Sequence, residues 1–128
     1  RWSDGIVSES ARKLHLVIAT GAEDASISKD WTKLLKEKCD EVGIDYFTSP
    51  YDFDSVDSVD PYVDLYKIGS GDITWHEIIE HICKKGKPVL VATGASSLSD
   101  VENAMELMQK FTNEIVLMQC NTNYTASI

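Results

Sequence analysis

A lysine followed by a segment rich in glycine and serine is the arrangement in this sequence that points most directly to chemistry. Lys67 interrupts an otherwise apolar run, and Gly69-Ser70-Gly71-Asp72 follows it. A lysine within such a run is costly unless an opposite charge meets it. Glycines let backbone N–H groups approach an anion, and the Ser70 hydroxyl adds a donor. The pattern favours a phosphate or carboxylate site at Lys67 and Ser70, with a solvent-reaching lysine beside a plain turn as the alternative.

Two other polar groups follow apolar runs elsewhere in the chain. Thr48 and Ser49 precede Pro50, where they offer hydroxyl donors to the same anion or simply form a turn. The segment Asn121-Thr122-Asn123-Tyr124 is a polar cluster that is also compatible with an ordinary loop. Both groups are therefore candidate members of one anion site.

No metal site is predicted from the residues themselves. His15, His76 and His81 lack the H-x-x-x-H and H-E-x-x-H spacings of metal-binding helices. The carboxylate-rich loop 52–60 lacks the central glycine and the terminal glutamate of a calcium loop. We expect this loop to be a solvated helix N-terminus, where acidic residues stabilise the helix dipole.

Short apolar strands and amphipathic helices alternate along the chain and must position these groups. Apolar runs at 14–19, 44–48, 65–68, 88–93 and 115–120 predict strands that are covered on both faces. A helix is predicted over 31–42, with an apolar stripe on one face and Gly43 placed to end it. That stripe comprises Trp31, Leu34, Leu35, Cys39 and Val42.

Three further helical segments complete the pattern. A short turn is expected between Asp54 and Asp60, and capping-box spacing predicts helix starts at Thr74–Glu77 and Ser99–Glu102. The helix after Thr74 should end near Gly86. Its predicted inward residues are Ile78, Ile79, Ile82 and Cys83. The last helix is predicted to carry one apolar stripe, made of Val101, Ala104, Met105, Met108 and Phe111.

This order of elements predicts an α/β fold with parallel strands joined by right-handed crossovers. Two architectures fit, namely part of a TIM (β/α)8 barrel or a complete flavodoxin-like open sheet, and periodicity does not separate them. In both, functional groups collect at the carboxyl ends of the strands. Residues 1–128 are interpreted as a single partial barrel segment, in which residues 1–28 are the least readable part.

Composition and charge restrict the class of protein. The formal charge is −9, from 21 acidic and 12 basic residues, which argues against partners rich in phosphate such as nucleic acids or anionic membranes. No apolar run approaches the roughly 20 residues that span a bilayer. The three cysteines form no C-x-x-C pair, which indicates a reducing compartment, and a cytoplasmic location is expected.

Four motifs, in order, resemble the N-acetylneuraminate (sialic acid) synthase family. The segments Tyr46–Asp52 (YFTSPYD) and Tyr66–Asp72 (YKIGSGD) are similar to two strand ends of that family. The segments Gly86–Gly94 (GKPVLVATG) and Gln119–Tyr124 (QCNTNY) resemble two more. The resemblance covers roughly residues 28–127 and not the preceding residues, and it lies in the set of motifs rather than in any one of them.

The resemblance implies a transferase of sialic acid biosynthesis. Its members are (β/α)8 barrels that join phosphoenolpyruvate to an N-acetylmannosamine-like amino sugar, releasing phosphate and forming a nine-carbon 2-keto sugar acid. Carried over by motif, Lys67 and Ser70 would bind the phosphate, Thr48 would help line that pocket, and Thr122 and Tyr124 would lie beside the phosphate and sugar. The family acts as a homodimer.

The resemblance also implies a cofactor whose ligands are not in this chain. The family uses a divalent metal, Mn²⁺ or Mg²⁺, which two histidines on later strands hold and which polarises the sugar aldehyde. We therefore expect this chain alone to be inactive. Two alternatives stay open: a non-catalytic phosphate-binding module with a flavodoxin-like fold, and an aldolase-like barrel in which Lys67 forms a Schiff base.

Overall fold

A computed structural model describes residue 28 and residues 30–123. The chain divides into two compact units, residues 1–45 and 46–128, which are described separately. In the first unit, helix α1 spans Trp31–Val42, as predicted. Gly43 has φ 73°, and the N–H groups of Gly43 and Ile44 donate to the carbonyls of Asp40 and Cys39. This is a Schellman motif, so the glycine ends the helix because it tolerates the left-handed conformation.

The apolar stripe of α1 is mostly exposed. Trp31 is 51% exposed and Leu34 is 61% exposed, and Val42 is exposed as well. Within the stripe only Cys39 is buried. Helical spacing identifies which residues share a face but does not say whether another element covers that face.

The second unit contains a parallel three-stranded sheet. Strands β1 (Tyr66–Ile68), β2 (Val89–Ala92) and β3 (Ile115–Met118) lie in the order β1-β2-β3. They confirm three of the predicted strands. The run at 44–48 forms only an isolated parallel bridge between Thr48 and Tyr66. The run at 14–19 lies outside the described residues.

Strand order decides between the two predicted architectures. Successive strands are neighbours, and the Thr48–Tyr66 bridge places the 44–48 run next to β1. A flavodoxin-like sheet has the order 2-1-3-4-5, so its second strand pairs with the first and not with the third. The partial (β/α)8 barrel is therefore confirmed, and the open-sheet alternative was wrong.

The core of this unit lies between one face of the sheet and the helices. Helices α2 (Phe53–Val59), α3 (His76–Cys83) and α4 (Leu98–Met108) alternate with the strands, and a 3-10 turn at Asp60–Tyr62 follows α2. The residues of α3 that were predicted to face inward are buried; in the apolar stripe of α4, Ala104 and Met108 are buried, whereas Phe111 lies beyond the helix and is exposed. Because strand side chains alternate, Tyr66 and Ile68 enter this core while Lys67 lies on the opposite face.

Neither predicted capping box forms at its predicted position: the one at α3 is absent and the one at α4 is displaced. Helix α3 begins after Trp75, which makes no side-chain cap, so Thr74 and Glu77 do not form a box. Helix α4 begins two residues earlier than predicted, because Ser97 and Asp100 form the box instead of Ser99 and Glu102. Asp100 N–H donates to Ser97 Oγ at 3.2 Å, and Ser97 N–H donates to Asp100 Oδ2 at 2.9 Å. An aspartate can close a capping box as a glutamate does, so Ser97 and Asp100 were also a possible box in the sequence.

The carboxylate-rich segment 52–60 is only partly a solvated helix N-terminus. Asp52 caps α2 by accepting from Ser55 N–H at 2.6 Å. Asp57 accepts from Lys85 and His81, and these hydrogen bonds lower the pKa of its carboxyl group. Asp57 is exposed as well as paired, and its bonds join α2 to the end of α3 and to the turn that precedes β2.

Candidate anion-binding site

A cavity of about 280 Å³ opens at the carboxyl ends of β1, β2 and β3. Each strand end contributes hydroxyl side chains to its wall. Ser70 and Thr74 follow β1, Ser96 follows β2, and Thr122 follows β3. Since the carboxyl ends of parallel strands meet at one edge of a sheet, chain positions far apart in sequence converge here.

Gly94 lies between the two predicted hydroxyl residues of this cavity. Its N–H donates to Ser70 Oγ at 3.0 Å. A Cβ atom added at Gly94 would lie 2.8 Å from Thr122 Cγ2 and 2.9 Å from Ser70 Oγ. Ser70, Gly94 and Thr122 are thus in close contact, and together they form one continuous wall.

The loop after β2 is held in an unusual conformation next to this wall. Ala95 has φ 56°, the left-handed region that a side chain with a Cβ adopts only at a cost. Thr93 anchors the start of the loop, because its N–H and its hydroxyl both donate to the carbonyl of Met118, at 3.0 and 3.2 Å. Strained backbone beside a cavity is typical of functional loops.

One carboxylate borders the cavity. Asp100 lies in the first turn of α4, where it accepts from the Ser97 hydroxyl and the Ser97 N–H. The hydroxyl bond is the larger cause and the backbone bond the next, and together they keep the pKa of Asp100 below its ordinary value. Asp100 is therefore an ionised cap of α4, and the remaining polar wall consists of neutral hydroxyls and backbone.

Lys67 is half-buried and lacks a close partner. The other half-buried lysines, Lys36, Lys85 and Lys87, each form an ion pair with an aspartate. Among the described residues, the Lys67 ammonium group lies within 4.0 Å of no carboxylate and makes no hydrogen bond, while the backbone N–H of Lys67 donates to the carbonyl of Thr48 at 3.2 Å. Burial raises the pKa of Asp72, and the charge of Lys67 partly opposes that rise. The Lys67 ammonium group thus lies on the inner face of the sheet, the face opposite the helices, and its hydrogen-bonding capacity is unused.

The five predicted site residues fall into three groups. Ser70 and Thr122 meet at the cavity. Lys67 and Thr48 lie outside its walls. Thr48 is the register partner of Tyr66, so the bridge places Thr48 on the helix-covered face of the sheet, opposite Lys67. Tyr124 lies outside the described residues.

Gly94, Ser96 and Thr74 are among the cavity residues that the sequence did not identify as site residues. Ser96 belongs to the polar segment after β2, and the hydroxyl following a predicted strand was a usable signal for it. Thr74 was interpreted as a helix cap and instead lines the cavity. The role of Gly94 depends on a contact between three loops, and no local pattern reveals such a contact.

Neither a metal site nor a membrane span is found in residues 28 and 30–123. No group of three or more histidine, cysteine, aspartate or glutamate side chains there is arranged to hold a metal ion. His81 is instead bonded to Asp57 at 2.8 Å. No helix in this part of the chain has both the length and the apolar character needed to cross a membrane.

Comparison with known proteins finds one family over almost the whole chain. Residues 8–128 match the sequence profile of the NeuB family, including positions before residue 28 where motifs alone show no resemblance. The chain is 29% identical to the N,N'-diacetyllegionaminic acid synthase of Legionella pneumophila over 107 residues, 79% of this chain and 30% of that protein.

Solved structures give the same picture of the fold. The crystal structure of the N-acetylneuraminic acid (sialic acid) synthetase of Leptospira borgpetersenii, in complex with citrate, matches with a TM-score of 0.76 and 27% identity over 80% of this chain and 36% of that one. A truncated 3-deoxy-D-arabino-heptulosonate 7-phosphate synthase of Thermotoga maritima matches with a TM-score of 0.64 and 22% identity, over 70% and 35% of the two chains. The chain spans about a third of the length of these proteins.

Proposed function

The chain belongs to the NeuB family, and we propose that it supplies the phosphoenolpyruvate-binding part of a nonulosonic acid synthase. In the proposed reaction, C3 of phosphoenolpyruvate attacks the aldehyde carbon of an open-chain N-acetylated amino sugar. A nine-carbon 2-keto sugar acid forms and phosphate leaves. The balance consumes one water molecule, since phosphate is released from an enol ester.

The observation that carries this proposal is the convergence of hydroxyl side chains from three strand ends on one cavity. Ser70 and Thr122 are neutral donors, and the charge of Lys67 lies in β1, three residues before Ser70 in the sequence. Neutral donors with one nearby cation suit a small phosphorylated acid, because charge-assisted hydrogen bonds to phosphate are stronger than neutral ones. The Lys67 ammonium group has unpaired donors, which supports a role in binding an anionic ligand.

Each predicted residue has a proposed role in binding. Ser70 and Thr122 donate to the phosphate, and Lys67 supplies the opposite charge from the inner face of the sheet. Thr48 remains a proposed neighbour of the phosphate, although its bridge to Tyr66 places it on the face of the sheet opposite Lys67. Tyr124 is proposed to lie beside the phosphate and the sugar.

The remaining parts of the proposed enzyme concern the sugar, the metal and the assembly. We propose an N-acetylated amino sugar as acceptor, a homodimer as the working form, and a divalent Mn²⁺ or Mg²⁺ ion that polarises the aldehyde when bound. The described residues do not fit a metal site, so no step is assigned to the ion. The roles derived for this chain are to bind and orient phosphoenolpyruvate.

Calorimetric titration of phosphoenolpyruvate tests the proposal. The variants are Lys67→Ala and Ser70→Ala, with Lys110→Ala as the control, since Lys110 is an exposed lysine outside the cavity. Loss of one charge-assisted hydrogen bond should weaken binding about tenfold or more in each of the first two variants. Circular dichroism shows whether each variant is folded.

Two results would contradict the proposal. One is the absence of saturable binding by the folded wild-type chain. The other is equal weakening by Lys67→Ala and Lys110→Ala, because it would mean that phosphoenolpyruvate responds only to net charge and not to the cavity.

A further inference from the structure

We infer that Gly94 is a positioning residue of this site: its N–H orients the Ser70 hydroxyl, and its lack of a side chain lets Thr122 share the same wall. This inference rests on the proposed function, since it concerns how the phosphate-binding hydroxyls are held. Gly94 itself needs no contact with the ligand. It acts on Ser70 through a hydrogen bond and on Thr122 through the space that it leaves.

The hydrogen bond fixes the direction in which Ser70 donates. A serine hydroxyl has one proton to donate and two lone pairs that accept. Gly94 N–H occupies one lone pair of Ser70 Oγ at 3.0 Å, and Ser70 Oγ donates to no other described residue. The Ser70 proton is therefore free for a ligand in the cavity, while the rotamer of Ser70 is already set. Such preorganisation avoids the cost of ordering the side chain when the ligand binds.

The surroundings of Gly94 leave no room for a side chain. A Cβ atom there would lie 2.8 Å from Thr122 Cγ2, 2.9 Å from Ser70 Oγ and 3.1 Å from the carbonyl of Cys120. The first two distances are shorter than van der Waals contact allows. A single methyl group would therefore push the Ser70 hydroxyl and the Thr122 methyl group away from Gly94, and with them the two side chains that carry the donors.

The neighbouring loops give these groups little room to withdraw. The Thr93 hydroxyl and N–H both donate to the Met118 carbonyl, which holds the start of the loop against the end of β3. Asn123 N–H donates to Asn121 Oδ1 at 2.8 Å, which forms a turn around Thr122. An added methyl group at Gly94 should therefore displace the hydroxyls rather than the backbone.

The test combines three variants. Gly94→Ala should weaken phosphoenolpyruvate binding about tenfold or more, because it disturbs the donors from two strand ends. Adding Thr122→Ser to Gly94→Ala removes the nearest clashing atom, Cγ2, and keeps the hydroxyl. This double variant should recover about twofold or more of the lost affinity. Gly71→Ala is the steric control for stability, since a Cβ at Gly71 meets no atom within 4 Å, and its unfolding midpoint should be no lower than that of the wild type.

A spectrum of the ligand-free protein provides a readout that a general loss of stability does not move. With ¹⁵N-glycine labelling, the seven glycine amides can be followed singly. Ser70→Ala should shift the Gly94 amide, because it removes the oxygen that this N–H contacts.

The outcomes separate this inference from the proposed function. If the wild-type chain does not bind phosphoenolpyruvate, the proposed function fails, and the positioning role fails with it. If the wild type binds and Gly94→Ala binds equally well, the inference alone is overturned. It is also overturned if Ser70→Ala leaves the Gly94 amide unshifted, or if Thr122→Ser recovers no affinity in the Gly94→Ala protein. Weakened binding with recovery and a shifted amide supports it.

Discussion

Removal of the Tyr66 hydroxyl should destabilise the second unit by a predictable amount. Tyr66 is fully buried, and its hydroxyl lies 2.8 Å from Asp60 Oδ1 and 3.2 Å from the Val56 carbonyl. Burial and the neighbouring Asp60 carboxylate raise the pKa of Tyr66, so it stays protonated and donates. This bond joins the start of β1 to α2 and the 3-10 turn, one residue before Lys67.

The size of the loss in unfolding free energy follows from the interactions that remain in Tyr66→Phe. The ring stays in place, so apolar burial is unchanged. Asp60 keeps its ion pair with Lys87 at 2.8 Å, and the Val56 carbonyl keeps the Asp60 N–H. Because neither acceptor is left unpaired, the loss lies at the lower end for a hydrogen bond to a charged group, about 1.5 kcal/mol.

Urea denaturation at neutral pH measures this loss, with Tyr62→Phe as the control. Tyr62 lies in the adjacent 3-10 turn, and its hydroxyl has no hydrogen-bond partner among the described residues. A loss no larger than that of Tyr62→Phe would refute the reasoning.

The same variant carries a prediction for pH. Burial works against ionisation of Asp60, but the hydrogen bonds from Lys87 and Tyr66 outweigh it and lower its pKa. A carboxyl group whose pKa is lowered by folding stabilises the folded state at any pH above its pKa in the unfolded chain, about 3.9. This contribution is lost as the pH falls through the pKa of the folded state. The difference in unfolding free energy between the wild type and Tyr66→Phe should therefore become smaller below about pH 3.9. A constant difference in that range would show that Asp60 is not the partner that matters.

Three other predictions concern the loops and the cysteines. Ser97→Ala should lower the free energy of unfolding by about 1 kcal/mol, because it removes the N-cap of α4, whereas Ser99→Ala removes no capping bond and should not. Equal losses of the two variants in urea denaturation would contradict the observed capping box. Ala95→Gly should raise the unfolding midpoint, because relief of about 1 kcal/mol of left-handed strain exceeds the entropy that glycine loses, and a lower midpoint would show that the strain is absent. An aromatic disulfide reagent should label Cys120 first near neutral pH, because Cys83 is buried and its pKa is raised to about 11; rapid labelling of Cys83 would show that α3 opens.

Much of the fold was predictable from local patterns. The apolar runs located β1, β2 and β3, because strands covered on both faces leave nearly continuous apolar sequence. Gly43 ended α1 as predicted, because only the left-handed conformation forms the Schellman bonds observed there. The run at 44–48 was the exception. Ile44 is 45% exposed, and Thr48 is its only residue in a ladder position, so apolar character did not translate into a full strand.

The features that depend on contacts between distant segments were not predictable. Two overlapping capping frames, at Ser97 and Ser99, are chemically similar, and the choice between them depends on how the preceding loop enters the helix. The ion pair between Asp57 and Lys85 joins residues 28 positions apart, so an acidic loop was interpreted as solvated. Ser70 and Thr122 were identified as candidates by type, but Gly94 between them became evident only from the packing of three loops.

The central claim is that the cavity at the three strand ends binds the phosphate of phosphoenolpyruvate. A crystal structure of the chain with phosphoenolpyruvate tests it most directly. The account predicts the phosphate group within hydrogen-bond distance of the Ser70 and Thr122 hydroxyls, with the Lys67 ammonium group turned towards it. Phosphate bound instead at the basic turn of Lys84, Lys85 and Lys87, with the cavity wall unchanged, would contradict the account.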